Sequence, residues 1–296
     1  MEIHQLRYFA KVAEIGNFTR AAEACFVSQP SLSQQIAKLE EELGQPLFER
    51  LGRGARLTEA GQKLLERASQ ILLLLDEAKA VVADDPDAGR LVVAAIPTIA
   101  PYFLPGVLTR FAAECPRARI EVAEETTGRL VEMLAHGDVD LAILALPVRG
   151  ENLHIEPLFT EELLAVLPAG HALVGKAQVS LLDLAGEPFV LLHETHCLTG
   201  TAMSFCHRLG ISPAGTARIQ QLATVQELVR LGHGVSLVPA MAARADAHPG
   251  RAYRSLDGDR PTRTVALVWN RMRYQSKLFA RFVASLRLTP HGPPSP

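Results

Sequence analysis

The chain has 296 residues, 48% apolar and 21% charged, with a formal net charge of −2; this is ordinary soluble composition, with room for two or three cores. No overall basic excess advertises a nucleic-acid partner, so any DNA binding must come from a local surface. The most apolar run, Ile71 to Leu75, is far too short to span a bilayer, and the opening MEIHQLRYFAKVAE is amphipathic, unlike a signal peptide. The expectation is a cytoplasmic protein whose four cysteines, Cys25, Cys115, Cys197 and Cys206, rest reduced. A structural disulfide is not expected; a transient, regulatory one stays open.

Residues 1 to 58 predict short helices with tight connections. Leu6, Phe9, Val12 and Ala13 share one face of the first. Thr19 is placed to cap a second, TRAAEACF, whose Ala21 and Ala22 allow close packing. Ser28 is placed to cap a third, with Pro30 in its first turn. In that helix Leu32, Ile36, Leu39 and Leu43 form an apolar stripe, Gln29, Ser31, Ser33, Gln34 and Lys38 form the opposite face, and Gly44 ends it. PLFERLGRGARLTEAG follows: an apolar anchor, a glycine-punctuated turn bearing Arg50, Arg53 and Arg56, and Thr58 to cap the next helix.

That helix is expected from about Thr58 to Asp84 on its pattern. Leu64, Ala68, Ile71, Leu75, Ala78 and Val82 alternate at steps of four and three, a heptad seam. The seam fits a dimer-forming linker better than a helix packed only on its own domain, because it joins two differently patterned regions. DDPDAG then breaks the helix. From Arg90 the pattern alternates between strands and helices. The expected strands are LVVAAI, ARIEVAEE, DLAILAL, ELLAVL, PFVLL, VSLVP and RTVALVW, with helices around Pro105 to Glu114, Arg129 to His136 and Val225 to Leu231. This predicts an α/β region with mostly parallel sheets in two subdomains, and a proline-rich tail, TPHGPPSP, without structure.

A helix, tight turn and second helix with a polar outer face is what entry into the major groove requires. Gln and Ser side chains pair with base edges, and Arg with guanine or phosphate. A small helical domain with a solvated polar face has the same pattern, so the residues alone leave DNA binding open. The run Glu40, Glu41, Glu42 confines any contact to the N-terminal half of the third helix. The segment NFTRAAEACFVSQPSLSQQIAKLEEELGQPLFERLGRGARLTEAG, however, resembles the winged helix-turn-helix signature of LysR-type regulators almost throughout and without a gap. The resemblance implies an N-terminal winged helix-turn-helix, all-α, then a linker helix and an α/β two-subdomain regulatory domain like the periplasmic binding proteins. It implies that Gln29, Pro30, Ser31, Ser33 and Gln34 face the groove and that Arg50 and Arg53 face the backbone. It also implies a homo-oligomer, a dimer of dimers, on a promoter site with dyad symmetry. The expected boundaries are residues 1–58, 59–88 and 89–296, the last divided into subdomains of about 89–161 with 266–288 and about 162–265.

In open α/β sheets, ligand sites gather beyond the carboxyl ends of strands. Thr98 follows LVVAAI, Thr126 and Thr127 follow ARIEVAEE, and His193 to Cys197 follow PFVLL. Small hydroxyls and a thiol there suit a small polar ligand; the threonines equally suit helix caps. HCLTGTAMSFCHRLG reads as a helix from near Cys197 to Gly210, which would lower the pKa of Cys197 beside His196. Cys206 lies nine residues on, roughly 14 Å away along a helix, against the roughly 4.4–6.8 Å a disulfide needs. A bond between them therefore requires unwinding, which Gly200 and Thr201 would ease. Such a bond would couple oxidation to a rearrangement. Two packed cysteines are the plainer alternative. A metal site drawn from His193, His196, Cys197, Cys206 and His207 fits poorly with zinc spacing, so no metal and no cofactor is expected.

IPTIAPYFLP, EETTGRL, THCLTGTAMSFC, LATVQELVRLGHGVSLVPA and RTVALVW together resemble the sensor domain of OxyR-type hydrogen-peroxide regulators, in the same order and at nearly the same spacing. The resemblance implies that Cys197 is the peroxidatic cysteine and Cys206 the resolving one. It implies that Thr98, Thr127, His196 and Arg263 surround the peroxide and the reactive sulfur. It further implies an activator of oxidative-stress genes, not an enzyme, that works with RNA polymerase and a thiol reductant. Cys25 and Cys115 match no switch position and read as packing residues. After Cys197 this chain carries Thr199 and Gly200 in place of the family's basic–acidic pair, and His193 and Thr195 also differ. The rival readings are a LysR-type regulator of a small organic effector, a cysteine peroxidase carrying a DNA domain, and a metal sensor.

Overall fold

The computed structural model describes residues 1–51, 54–82, 84–176, 178–184, 186–193, 198–200, 203–204, 215–258 and 260–288, which fall into two compact units, Met1–Ala83 and Asp84–Pro296. The first holds α1 (Ile3–Ile15), α2 (Phe18–Ala24), α3 (Gln29–Leu43), β1 (Phe48–Leu51), β2 (Gly54–Leu57) and α4 (Glu59–Val82). The apolar stripes converge as their spacing dictates: Leu6, Phe9 and Val12 of α1 meet Ala21, Ala22, Leu32, Ile36 and Leu39. Phe48 closes this core against Phe9 and Phe18, both at 5.4 Å between ring centroids. Leu43, at the end of the stripe, is exposed.

Capping follows the sequence with one correction. Ser28 accepts from the Ser31 N–H at 3.3 Å, Thr58 accepts from the Gly61 N–H at 3.0 Å, and Gly44 turns left-handed at φ 67°. The cap of α2 is not Thr19 but Asn17, whose side chain accepts from Arg20 N at 3.0 Å, because the helix begins at Phe18. β1 and β2 pair antiparallel from Phe48↔Leu57 to Leu51↔Gly54, so the wing is a β-ribbon in an otherwise helical unit. Its base is pinned twice. Glu40 accepts from Leu47 N at 2.7 Å, and a Cβ on Gly61 would fall 2.2 Å from the Leu47 carbonyl oxygen, so only glycine fits there. Among the described side chains of α4, Ala68 is the last that is fully buried; Ile71, Leu74, Val81 and Val82 are exposed within the single chain.

The second unit holds β3 (Ala88–Ala95), α5 (Ala100–Glu114), β4 (Arg117–Glu124), α6 (Thr127–His136), β5 (Leu141–Ala145) and β6 (Leu153–Pro168). Then come β7 (Gln178–Val179), β8 (Phe189–Leu192), β9 (Gly215–Ile219), α7 (Leu222–Arg230), β10 (Ser236–Pro239), α8 (Ala240–Ala245), β11 (Arg251–Leu256), β12 (Thr262–Asn270) and α9 (Lys277–Arg287). The sheet is mixed, not mostly parallel as expected. β3 pairs parallel with β4 and β5, but β12 runs antiparallel to both β5 and β6, and β6 antiparallel to β10 and β11. The reason is β6. Its first half pairs with β12 and its second half with β10 and β11, so one 16-residue strand serves two lobes and β12 returns alongside it. ELLAVL is only the second half of this strand.

Each lobe has its own core: Leu91–Ile96, Phe111, Leu141–Ala145 and Phe282 in one, Leu163, Ala165, Val166, Leu167, Phe189, Val225 and Val238 in the other. Helix α8 joins them, since Met241 packs in the first core and Ala242 in the second. Helix α5 starts five residues before the expected Pro105, with Pro101 in its first turn, where a missing N–H costs nothing.

Candidate functional site

Polar residues follow the carboxyl ends of β3 and β4, His193 follows β8, and β6 and β12 contribute Glu161 and Arg263, the latter in contact with Thr98. Thr98 lies just before α5 and is 2% exposed. It is not a helix cap: α5 is preceded by Ile99, and the Thr98 hydroxyl is bound by Arg263. Arg263 Nη1 donates to Thr98 Oγ1 at 2.7 Å, and Nη2 donates to the Thr98 carbonyl at 2.9 Å. Thr126 caps α6 by position only, without a side-chain hydrogen bond, and Thr127 opens that helix. The Thr127 Oγ1 is buried and has no hydrogen-bond partner among the described residues. Thr98 and Thr127 thus follow neighbouring parallel strands whose ends, Ala95 and Glu124, are in register.

Arg263 brings a residue that the sequence reading missed. Its Nε donates to Glu161 Oε1 at 2.9 Å and its Nη2 lies 2.8 Å from the same oxygen. The two are direct cross-strand partners, and their side chains are 1% and 3% exposed. Glu161 Oε2 accepts from the Met241 N–H at 2.8 Å, in the first turn of α8. Thr98, Arg263, Glu161 and α8 therefore form one continuous buried chain of hydrogen bonds. The signal for Glu161 was in the sequence: it shares the strand parity of Leu163, Ala165 and Leu167, all buried. A charge at an inward position requires a partner.

Of the third segment, His193 to Cys197, only His193 is among the described residues, with Leu198 to Gly200 following it. His193 N donates to the Ile219 carbonyl at 2.7 Å, extending the parallel pairing of β8 with β9. Leu198 to Gly200 are helical, and Thr199 is buried, its hydroxyl donating to the Leu192 carbonyl at 2.9 Å. Thr199 therefore ties these helical residues to the end of β8, while a Cβ at Gly200 would meet nothing within 4 Å among the described residues. Leu198 and Thr199 line a small apolar pocket with Leu192, Leu222, Val225 and Leu237. His196, Cys197 and Cys206 lie outside the described residues, as do most members of the alternative metal cluster. Tyr102 packs against both cores; burial, then the nearby Asp246 carboxylate, pushes its hydroxyl pKa up.

In the first unit the outer face of α3 is solvent-facing. Gln29, Pro30, Ser31 and Gln34 are exposed, Ser33 is half-buried, and Gln29 Nε2 donates to Ser33 Oγ at 2.8 Å. Arg56 is exposed on the wing; Arg53 and the Arg50 side chain lie outside the described residues. Among the described residues no helix is long and apolar enough to cross a membrane.

A helix-turn-helix with a ribbon wing, joined through a long helix to a two-lobed α/β unit with a buried polar seat, has the make-up of a DNA-binding regulator that responds to a small signal. Residues 3–62 match the bacterial regulatory helix-turn-helix protein of the lysR family, and residues 84–289 match the LysR substrate binding domain. The chain belongs to the LysR family of transcriptional regulators. It is 35% identical over 283 residues to the DNA-binding transcriptional dual regulator OxyR of Escherichia coli (strain K12), covering 93% of each chain. A full-length OxyR cysteine-to-aspartate variant from Pseudomonas aeruginosa superposes with a TM-score of 0.80 at 30% identity, over 97% of this chain and 95% of that one. A cysteine-to-serine OxyR variant from Corynebacterium glutamicum with H2O2 bound gives 0.66 at 32% identity, over 97% and 91%.

Proposed function

We propose that the chain is a cytoplasmic, peroxide-sensing transcriptional regulator whose switch is a reversible Cys197–Cys206 disulfide. The observation that carries this reading is the seat formed by Thr98, locked by Arg263, with the buried Thr127 hydroxyl, unpartnered among the described residues, at the end of the adjoining strand. Two hydroxyls with unspent hydrogen-bonding capacity suit a ligand of two oxygens. The likeness to OxyR proteins, one of them with H2O2 bound, supports the same chemistry.

In the mechanism, peroxide lies between Thr98, Thr127 and His196. The Cys197 thiolate attacks one oxygen, the O–O bond breaks, and the other oxygen leaves as hydroxide and takes a proton to become water. Sulfur is oxidised by two electrons to a sulfenic acid. Cys206 then attacks that sulfur, its thiol proton and the sulfenic hydroxyl leave as water, and the disulfide forms. A thiol reductant reverses it, so one signal is spent per cycle and the protein is a sensor, not an enzyme.

The DNA-binding domain takes residues 1–58, with Gln29, Pro30, Ser31, Ser33 and Gln34 reading the groove and Arg50 and Arg53 gripping phosphates. Residues 59–88 are the dimerising linker, and 89–296 the sensor, with lobes of about 89–161 with 266–288 and about 162–265. The oligomer is a dimer of dimers on a site of dyad symmetry, acting on RNA polymerase as an activator. The test is one equivalent of peroxide on the reduced protein, rapid thiol trapping and peptide mapping. The expected product is a Cys197–Cys206 crosslink that is absent in Cys197→Ser. Unmodified thiols on a protein still bound to its DNA would replace this reading with a regulator of a small organic effector.

A further inference from the structure

We infer that Glu161 is a positioning residue for the peroxide seat: through Arg263 it fixes the direction in which the Thr98 hydroxyl donates. The inference rests on the peroxide-sensing reading above. A threonine hydroxyl has one hydrogen to give and two lone pairs to receive with, and it rotates to suit its surroundings. Here rotation is restricted. Arg263 Nη1 donates to Thr98 Oγ1, so the hydroxyl hydrogen cannot point that way. The hydroxyl is left as a donor toward the seat. As the O–O bond breaks, charge grows on the departing oxygen, and a donor already aimed at it stabilises that charge without reorganising.

Arg263 holds this geometry because Glu161 holds Arg263. A long guanidinium side chain has many rotamers; two contacts to one carboxylate oxygen, from Nε and Nη2, set its plane. The carboxylate is fixed in turn. It stands directly opposite Arg263 in the β6–β12 register, and its second oxygen is taken by the Met241 N–H. The pair is also close to neutral as a unit, so its contribution to the seat is orientation. That separates it from a residue that merely raises the thiolate fraction.

Glu161→Asp isolates this role, since it keeps the charge and withdraws the carboxylate by one methylene. Two second-order rates are measured on the reduced, full-length protein: oxidation of Cys197 by hydrogen peroxide, and alkylation of Cys197 by iodoacetamide across pH. Alkylation needs the thiolate but no oriented hydroxyl. The expected result is a fall of about 10- to 100-fold in the peroxide rate, with the alkylation rate and its pH midpoint unchanged within about twofold. In a Thr98→Val background, Glu161→Asp should then have almost no further effect, because the path runs through that hydroxyl. An unchanged peroxide rate overturns the inference, as does an equal loss in both rates, which would mark a general structural role. A full additional loss in the Thr98→Val background overturns it too. If wild-type Cys197 is alkylated but not oxidised by peroxide, the sensing reading itself has failed, and the inference falls with it. If Glu161→Asp does not fold, Glu161→Gln is read by the same two rates and the same cycle.

Discussion

Arg263 and Glu161 are each buried to within a few per cent of completely, and neither charge is tolerable there alone. Removing one partner leaves the other desolvated and unmatched, whereas replacing both with apolar groups removes the problem. Glu161→Leu or Arg263→Leu should therefore cost about 3–5 kcal/mol, while the double replacement costs clearly less than the sum and less than either alone. Urea unfolding of the four proteins measures this directly. Both charges were legible as oddities of parity, Glu161 among inward leucines and Arg263 in step with Val265 and Leu267. Their pairing was not legible, because partners 102 residues apart are set by strand register, which period-two patterning does not reveal.

Phe26 is a second residue that the sequence alone left silent. It sits in the left-handed region at φ 56° and is 95% exposed. Its N–H donates to the Glu23 carbonyl, and the Val27 N–H donates to that of Ala22, so it occupies the usual glycine position of a Schellman turn. The left-handed backbone costs a non-glycine residue roughly 1–2 kcal/mol, of which glycine's larger unfolded-state entropy returns roughly 0.5–1. Phe26→Gly should thus stabilise the first unit by about 0.5–1 kcal/mol, seen as slower amide exchange across α2 and α3.

Among elements, α4 has the clearest unspent apolar surface. Its early turns are buried against the DNA-binding core at Ala68, but Leu74 is 61% and Val82 88% exposed. A helix with such a seam stabilises itself by pairing with a second copy. Ile71→Asp with Val82→Asp, both on the seam and exposed, should weaken self-association at least tenfold, a loss of about 1.4 kcal/mol or more, as read by sedimentation of the full-length chain. Folding of the first unit should be unaffected, because its core lies elsewhere. The helices of this unit were legible because their caps and stripes are local: Ser28, Gly44 and Thr58 fall where they were expected. The sensor sheet was less so. A strand that changes partners midway, as β6 does, has the same alternation as one that does not, so its direction and its long first half could not be read from pattern.

For the molecule as a whole, charge poses the question of how DNA is held. A net charge of −2 gives no long-range attraction to a polyanion. On the function proposed above, binding comes from a few cations brought close to phosphates, and the polar face of α3 reads sequence separately. These two contributions respond differently to salt, because each neutralised phosphate releases counterions while a base-edge hydrogen bond does not. With a duplex selected by the wild-type protein from a random library, Arg50→Ala should weaken binding to selected and scrambled DNA alike and reduce the log–log salt slope by about one per subunit. Gln34→Ala should instead leave the slope in place and narrow the preference for selected over scrambled DNA by about 1–3 kcal/mol. Titrations at several salt concentrations separate the two. If Arg50→Ala changed preference without changing slope, the wing would be reading bases, and the division of labour between ribbon and helix would have to be redrawn.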